Sequence, residues 1–254
     1  MSSNTTLIEQ FNRLKADTSL DDESRYARMN EIAERLINST IDCYNNAALT
    51  YNDLRSEINT HKRLSWEILS DTASQYLPCD GKIKILDVSA GNGRDLIYGR
   101  ELGYDMYGTE LSDTFLNLLN KLHSDGATDH KVKKCDMRKL DFDDASFDVV
   151  RHCCTLLHMP VIGKGYTADK ALAEAHRILK NNGLLYIEVK EGPEDLKIHN
   201  TNDGLGDRIC QFFSVDILRE VVERNGFEIL LTKKTPSNRA HEPINFLVVI
   251  ARKM

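Results

Sequence analysis

The sequence predicts an α/β fold in which a mostly parallel sheet follows a helical arm. From residue 82 onward, short apolar runs alternate with amphipathic helical segments, and such strands pair in parallel through right-handed crossovers. Before residue 78 there is no Gly, and apolar residues recur at helical spacing. We therefore predict a helical arm or lid over residues 1–77 and an α/β domain over residues 78–254.

The composition is that of an ordinary globular protein. The 254 residues carry 33 Lys and Arg against 39 Asp and Glu, a net charge of −6, which argues against a general clamp for nucleic acid. No apolar run approaches the roughly 20 residues that cross a bilayer, and the charged first twenty residues do not look like a signal peptide. We expect a cytoplasmic protein, monomer or homodimer, without nucleic-acid or membrane partners.

Six cysteines occur without C-x-x-C or Cys/His zinc spacing, so the sequence predicts free thiols and no metal site. Cys135, Cys153 and Cys154 lie in apolar, strand-like stretches. There we expect small hydrophobic residues rather than reactive nucleophiles.

The arm is predicted to contain three or four helices. Its apolar residues cluster at helical spacing over residues 29–37, 47–51 and 64–69, and Ser19 precedes an acidic run suited to a helix start. Tyr44 and Tyr51 are seven residues apart and therefore share one helix face. Either tyrosine could cover a ligand or pack the arm onto the sheet.

Seven strands are predicted after the arm. They are KIKILDV, YDMYGTE, HKVKKC, FDVVRHCC, LLYIEVK, FEILLTK and INFLVVIA. Two late helices are predicted to end at Asn182-Gly183 and at Asn225-Gly226, the second with Ser214 as its N-cap. Residues 191–213 have little pattern and predict a long functional loop over the strand ends.

The segment ILDVSAGNGRDL, residues 85–96, predicts a ligand-binding turn. A buried strand ends at Asp87, small residues follow, and a helix begins near Arg94. The turn has no Lys for a triphosphate, and Leu96 replaces the third small residue of a dinucleotide fingerprint. An acidic strand end suits a ligand that bears an ammonium and a sulfonium group.

Two further acidic residues end the next predicted strands. Glu110 could accept hydrogen bonds from both hydroxyls of a ribose. Asp136 could hold the amino edge of an adenine, with the apolar Leu111 and Met137 against its faces.

These motifs, together with HCCTLLHMP and ALAEAHRILKNNGLLYIEVKEG, resemble those of class I S-adenosylmethionine-dependent methyltransferases. The likeness covers about residues 40–252, and CYNNAALTY and INFLVVIARK resemble a bacterial subgroup that methylates small molecules. The resemblance implies a Rossmann-like seven-stranded sheet of order 3-2-1-4-5-7-6 with strand seven antiparallel. It also implies S-adenosylmethionine as cofactor and S-adenosylhomocysteine as product.

The resemblance assigns residues to parts of the cofactor. Those implied near its methionine portion are Asp87, Ser89, Gly91, Gly93, His152 and Cys153. Glu110 is implied at the ribose, and Asp136 and Met137 at the adenine. Ser89 departs from the family, which normally has Gly there. For Arg94 we predict a partner in the cofactor carboxylate or in Asp95.

A hydroxyl acceptor needs a base, and His is suited to that role near neutral pH. The candidates are His158, His152 and His199, with Tyr44 as a further candidate from the arm. The chain lacks the Asn/Asp-Pro-Pro-aromatic motif of base-modifying enzymes and the clustered carboxylates of metal-assisted ones. We therefore expect metal-independent methylation of a small molecule, at oxygen or alternatively at nitrogen. A nicotinamide oxidoreductase and a non-catalytic cofactor-binding partner remain the alternatives.

Overall fold

The computed structural model describes residues 3–55, 57–78, 81–124, 131–193, 195–199, 205–236 and 244–254. The helices are α1 Ser3–Ala16, α2 Asp22–Arg55, α3 Thr60–Tyr76, α4 Arg94–Glu101, α5 Asp113–Ser124, α6 Thr167–Ile178 and α7 Val215–Glu223. The strands are β1 Lys84–Asp87, β2 Asp105–Glu110, β3 Lys131–Lys134, β4 Phe147–Cys153, β5 Leu179–Lys190, β6 Leu196–His199, β7 Arg208–Gln211, β8 Phe227–Pro236 and β9 Asn245–Lys253. A 3₁₀ turn, Leu156–His158, follows β4.

The main sheet has seven strands in the order β3-β2-β1-β4-β5-β9-β8. The pairs from β3 through β5 are parallel, whereas β9 runs antiparallel to both β5 and β8. Since β6 and β7 form a separate two-stranded sheet, the main sheet confirms the predicted order 3-2-1-4-5-7-6 with the last strand antiparallel.

Alternation along the central strands gives the sheet two apolar faces. Ile85, Val149 and Leu184 belong to one buried cluster, which also contains Trp66 of α3. The next residues along the same three strands face the other cluster, together with the apolar side chains of α1, α2, α6 and α7. Burial on both faces explains why the central strands are continuous apolar runs.

One predicted element boundary was wrong. Helix α6 ends at Ile178 instead of near Asn182, because Leu179 already pairs with Phe147 in the sheet. The acidic run after Ser19 does begin a helix: Asp22 and Glu23 lie in the first turn of α2, and the carboxylate of Asp21 accepts from the backbone N–H of Ser24 at 2.8 Å. The predicted N-cap Ser214 is confirmed by its bond from the Ile217 N–H at 3.2 Å.

The described part of residues 191–213, a segment that we call the insert, contains paired strands instead of the open loop that the sequence predicts. Strands β6 and β7 pair antiparallel within it, and Ile209 and Phe213 are fully buried. The insert was mistaken for a loop because its two strands have only four residues each.

The arm consists of three helices, of which α2 has 34 residues. Helix α3 packs directly on the main sheet, where the buried Trp66 stacks on Tyr104 with ring centroids 5.9 Å apart. None of the helices in the described part of the chain is both long and apolar enough to cross a membrane.

Candidate active site

A cavity of about 740 Å³ lies at the carboxyl ends of β1, β2 and β4, beneath α2. One wall, the turn side, comes from the residues that follow β1, β2 and β3: Ser89, Gly91, Arg94, Glu110, Leu111, Asp136 and Met137. The opposite wall, the insert side, comes from α2, the 3₁₀ turn, the insert and β9, and includes Tyr44, His158, Arg208 and Phe246. Ligands of parallel α/β sheets bind at this edge.

The turn after β1 uses left-handed backbone at three positions. Ser89 has φ 58°, Gly91 φ 59° and Gly93 φ 79°. A Cβ at Gly93 would lie 2.5 Å from the Leu119 side chain, whereas Gly91 has no neighbour within 4 Å of that position. Gly93 is therefore needed for packing against α5, and Gly91 opens the cavity wall.

Glu110 joins this turn to the end of β2. Its Oε2 accepts from the Gly91 N–H at 2.8 Å, and its Oε1 accepts from the N–H groups of Leu111 and Ser112. Burial nevertheless raises the pKa of Glu110 above its ordinary value, against the lowering effect of these three bonds. Because a carboxylate oxygen has two lone-pair directions, Oε2 can accept one further hydrogen bond from a hydroxyl.

Asp136 is held in place by Arg138. The guanidinium donates to both carboxylate oxygens, with Nη2 at 2.7 Å from Oδ2, and also pairs with Glu34 of α2. Burial acts to raise the pKa of Asp136, but the bonds from Arg138 outweigh it and lower that pKa. The adenine-binding candidate is thus a fixed carboxylate on the cavity wall beside Met137.

The structure does not bring Asp87 to the cavity wall. Its Oδ1 accepts from Nη1 of the fully buried Arg151 at 2.8 Å, and Nη2 of Arg151 donates to Asp95 at 2.9 Å. Burial raises the pKa of Asp87 to about 6 despite this partner. The pKa of Asp95 is lowered despite burial, because Arg94 pairs with it as well. Asp87 and Gly93 therefore hold the turn in place through buried contacts, and neither residue lines the cavity.

Arg94 lines the cavity and pairs with Asp95, one of its two predicted partners. Its Nη2 lies 2.8 Å from Asp95 Oδ2, and its Nη1 donates to the carbonyl oxygen of Arg55 at 3.2 Å. The second predicted partner, a cofactor carboxylate, stays a prediction.

Tyr44 and His158 meet on the insert side. His158 Nδ1 lies 2.7 Å from the carbonyl oxygen of Ile209, which can only accept, so Nδ1 carries the hydrogen. In the neutral ring Nε2 is then an acceptor, and the Tyr44 hydroxyl donates to it at 3.0 Å. Burial raises the pKa of Tyr44, so this residue remains a phenol.

His152 was predicted on the cofactor side as a candidate base, and the structure does not bring it to the cavity. The side chain is fully buried, its nearest polar partner is Thr155 at 3.4 Å, and its Nε2 has no hydrogen-bond partner. Burial lowers its pKa to about 4. The side chain of the remaining candidate, His199, lies outside the described part of the structure.

Cys153 lies on the cavity wall as predicted, but in a polar setting rather than an apolar one. Its Sγ is 2.7 Å from Nζ of Lys62, and Nζ is also 2.7 Å from Oε1 of the buried Glu188. Cys154 contacts the same two groups. Among the described residues, Cys153, Cys154 and Glu188 are also the three potential metal ligands that lie within 4.8 Å of one another.

Helix α2 closes the cavity from above through contacts that the sequence did not predict. Its Asn45 accepts from the Ser112 hydroxyl at 2.7 Å, and Asn52 accepts from the Asn92 amide at 3.3 Å. The Arg55 carbonyl accepts from Asn92 and from Arg94. The C-terminal half of α2 is therefore bonded to the turn side of the cavity.

Sequence reasoning missed Lys62, Arg151 and Glu188 as parts of the site. A usable signal existed for Arg151, since a charge inside the apolar run FDVVRHCC must find buried partners. For Lys62 there was none, because its partners lie 91 to 126 residues away.

Comparisons with known proteins agree with this geometry. Residues 86–187 match the family model described as a methyltransferase domain. The chain is 29% identical over 157 residues to a sterol 24-C-methyltransferase of Kluyveromyces lactis, covering 58% of this chain and 40% of that protein. It is 25% identical over 154 residues to the ubiquinone/menaquinone biosynthesis C-methyltransferase UbiE of Bordetella avium, covering 59% and 56%. The chain thus spans about half or less of the length of these relatives.

A similar solved structure is that of the 1,6-didemethyltoxoflavin-N1-methyltransferase of Burkholderia thailandensis, with bound 1,6-didemethyltoxoflavin and S-adenosylhomocysteine. It has a TM-score of 0.66 and 22% identity, and the match covers 88% of this chain and 89% of that one. The match extends the shared fold across most of the chain. In its matched domain, strand order and site motifs, the chain is similar to the class I S-adenosylmethionine-dependent methyltransferases.

Proposed function

We propose that this protein transfers the methyl group of S-adenosylmethionine to an oxygen of a small molecule, without a metal ion. The observation that carries the proposal is that one cavity of about 740 Å³ has the glycine turn on one wall and the Tyr44–His158 pair on the other. A site that binds a cofactor and deprotonates an acceptor needs both walls.

The turn side provides the groups that the cofactor needs. Glu110 Oε2 can accept a ribose hydroxyl, Asp136 can accept from an adenine amino group, and Met137 and Leu111 offer apolar contact. Gly91 lets the ligand approach the backbone closely. When bound, S-adenosylmethionine supplies an electrophilic methyl group on a sulfonium with a good leaving group.

The insert side provides a base. His158 Nε2 is the acceptor nitrogen of a ring whose Nδ1–H is bonded to the Ile209 carbonyl, so the ring is fixed in the tautomer that can take a proton. An acceptor hydroxyl that replaces the Tyr44 hydroxyl at Nε2 would lose its proton there as the new C–O bond forms. This need for a proton acceptor favours oxygen methylation over attack by a neutral amine.

The names of the relatives support a small acceptor. The two curated relatives are C-methyltransferases of sterol and of quinone biosynthesis, and the solved neighbour is an N-methyltransferase of a toxoflavin precursor. Since these relatives differ in the atom that is methylated, the choice of oxygen rests on His158 alone. We further propose that no nucleic acid or membrane takes part.

Two measurements test the proposal. Calorimetry with S-adenosylhomocysteine and with NAD, on the wild type and on Glu110→Ala, separates this function from an oxidoreductase. We expect binding of the nucleoside, weaker binding to the variant and no binding of NAD.

In the second measurement, radiolabelled S-adenosylmethionine is incubated with a metabolite extract and EDTA, using the wild type and His158→Gln. Label in a small-molecule fraction that depends on His158 supports the proposal. Binding of the nucleoside without any transfer would instead support a non-catalytic cofactor-binding protein, and loss of transfer with EDTA would contradict a metal-free reaction.

A further inference from the structure

A cluster of charged groups and thiols lies at the floor of the cavity, where α3 meets β4 and β5. Nζ of Lys62 is at its centre, 2.7 Å from Cys153 Sγ, 2.7 Å from Glu188 Oε1 and 3.7 Å from Cys154 Sγ. The proposed methyl transfer uses none of these groups as acid, base or nucleophile. The cluster therefore has a chemistry that the proposed methyl transfer does not explain.

Glu188 is a fully buried carboxylate with many donors. Besides Lys62, its oxygens lie 3.0 Å from His61 Nε2, 2.6 Å from the Ser65 hydroxyl and 2.8 Å from the Tyr186 hydroxyl. Burial acts to raise the pKa of Glu188, but Lys62 and His61 outweigh it and hold that pKa well below its ordinary value. Glu188 is thus an anion, which keeps Lys62 protonated beside it.

Lys62 remains an ammonium group although it is buried. Burial acts to lower its pKa, yet the nearby sulfurs and Glu188 raise that pKa well above the ordinary value. The sulfur of Cys153 consequently faces a fixed positive charge at hydrogen-bond distance. A cation in this position stabilises the thiolate, which is the reactive form of cysteine.

Cys154 is placed differently from its neighbour. Its S–H donates to Glu188 Oε1 at 3.2 Å, and the hydrogen bond with Cys153 together with burial raises its pKa well above the ordinary value. Cys154 therefore stays a thiol, while the Cys153 sulfur lies against the Lys62 ammonium group. An accessible thiolate next to a second thiol is the arrangement found in redox-sensing cysteine pairs.

Cys153 is accessible because it lies half-buried on the wall of the cavity. A metal ion is a poor alternative occupant here. The Lys62 ammonium is within 2.7 Å of two of the three potential ligands, and so already supplies the positive charge between them.

We propose that Cys153 and Cys154 are a redox-active pair, in which a hydroperoxide oxidises Cys153 and Cys154 then closes a disulfide. The Cys153 thiolate attacks the distal peroxide oxygen, the O–O bond breaks, and alkoxide or hydroxide leaves, giving a sulfenic acid. The Cys154 sulfur attacks the sulfenic sulfur, an S–S bond forms, and water leaves with the thiol proton. The hydroperoxide is reduced and the two thiols are oxidised.

The product should be easy to reduce. Adjacent residues have Cα atoms about 3.8 Å apart across a trans peptide, closer than the usual range for disulfides, and strained disulfides are more reducible. The pair is thus suited to a reversible switch on the cavity wall.

Mass spectrometry of the peroxide-treated protein tests the proposal directly. Cysteines 153 and 154 share the tryptic peptide of residues 152–164. We expect this peptide to lose two hydrogens before Cys135 or Cys210 reacts, and to regain them with dithiothreitol. Cys154→Ser should stop at a sulfenic acid that dimedone traps, whereas Cys153→Ser should remain unoxidised in this peptide. Cys135→Ser is the matched control and should behave as wild type.

Variants that keep or remove the charge of Lys62 test its role. Lys62→Arg keeps a cation and should keep rapid oxidation. Lys62→Met alone leaves Glu188 buried without its main partner, so the double variant Lys62→Met/Glu188→Gln removes both charges together. We expect this variant to be oxidised about tenfold more slowly, because the thiolate is no longer favoured.

Three results would overturn the proposal. One is oxidation of Cys135 or Cys210 at least as fast as that of Cys153. Another is an unchanged rate in the double variant when its circular dichroism shows a native fold. The third is one equivalent of zinc in the purified protein that EDTA removes with exposure of both thiols, which would make the cluster a metal site. None of these readouts depends on methyl transfer.

Discussion

The Tyr44 hydroxyl donates a hydrogen bond to Nε2 of His158 across 3.0 Å, and this bond joins the arm to the 3₁₀ turn after β4. The arm thereby reaches a histidine that lines the cavity and whose tautomer is fixed by the Ile209 carbonyl. The two residues are 114 positions apart in the chain. The proposed base is complete only when α2 lies on the domain.

Removing the base should slow the chemical step more than it weakens binding. We expect His158→Gln to lower kcat about a hundredfold, since general bases contribute about 10²–10⁴-fold. Tyr44→Phe should cost no more than about tenfold, because its hydroxyl orients the ring only until the acceptor replaces it at Nε2. Initial-rate kinetics check both values. Tyr51→Phe, whose ring meets that of Tyr44 at 6.2 Å, is the matched control, and equal losses in the two tyrosine variants would contradict a role for the bond.

Arg151 should be a major determinant of stability. It is fully buried and donates to Asp87 and Asp95, and its guanidinium lies 4.6 Å from the Trp66 ring. Arg151→Met leaves the buried Asp87 without its cation and Asp95 with Arg94 alone, so we expect a loss of about 3–5 kcal/mol in the free energy of unfolding. Urea denaturation measures it. Arg252→Met, which breaks a partly exposed pair with Glu228, should cost under about 1 kcal/mol.

His152 should make the protein sensitive to acid. Its pKa of about 4 in the folded state lies below the ordinary value of 6.5, so the unfolded state binds the proton more tightly. Its contribution to stability is present above pH 6.5 and is lost as pH falls toward 4, at about 1.4 kcal/mol per pH unit. Unfolding curves between pH 7 and 4 should therefore be steeper in pH for the wild type than for His152→Gln. Parallel curves would contradict this.

Replacement by Ala should affect mainly stability at Gly93 and mainly ligand affinity at Gly91. Gly93→Ala places a Cβ against Leu119 and should cost about 2–3 kcal/mol of stability. Gly91→Ala has space and should cost only about 1–2 kcal/mol for its left-handed backbone, but it puts a methyl group at the cavity wall. Calorimetry with S-adenosylhomocysteine should thus show the larger loss of affinity for Gly91→Ala. The reverse order would contradict the assignment.

Replacing Ser89 by Gly should increase the stability of the protein. It holds φ 58° where the family normally has Gly, and a side chain in this region carries a backbone penalty. Relief of this penalty is partly offset because glycine loses more conformational entropy on folding. We therefore expect Ser89→Gly to stabilise the protein by about 0.5–1 kcal/mol, measured by thermal denaturation. Asn182, with φ 62°, belongs to a residue type that tolerates this conformation, so Asn182→Gly should change stability little.

The sequence was sufficient for the architecture because the strands and helices of the domain have strong local patterns. The seven strands and the turn at residues 89–93 follow from apolar runs and small residues in series, whereas the order of the strands was implied by the resemblance to the methyltransferase family. The predicted end of α6 near Asn182 was wrong, because a helical pattern does not show where the next strand begins to pair. The two short strands of the insert gave no pattern at all.

The site was predictable only where one segment carries the chemistry. Glu110, Asp136 and Gly91 follow strands in the chain and were found by that position. Asp87 and His152 share the same kind of position, yet neither lines the cavity. Asp87 is paired with the buried Arg151, and His152 is buried on the opposite face of the sheet. Contacts across the fold, such as Lys62 with Cys153, leave no trace in local sequence.

Helix α2 has a consequence for how the site exchanges its contents. With 34 residues it is about 51 Å long, and it bonds to the insert through Thr40 and Cys43 and to the turn through Asn52 and Arg55. We expect a helix of this length to move as one body. If the proposed function holds, movement of this helix would open the turn side and the insert side of the cavity together.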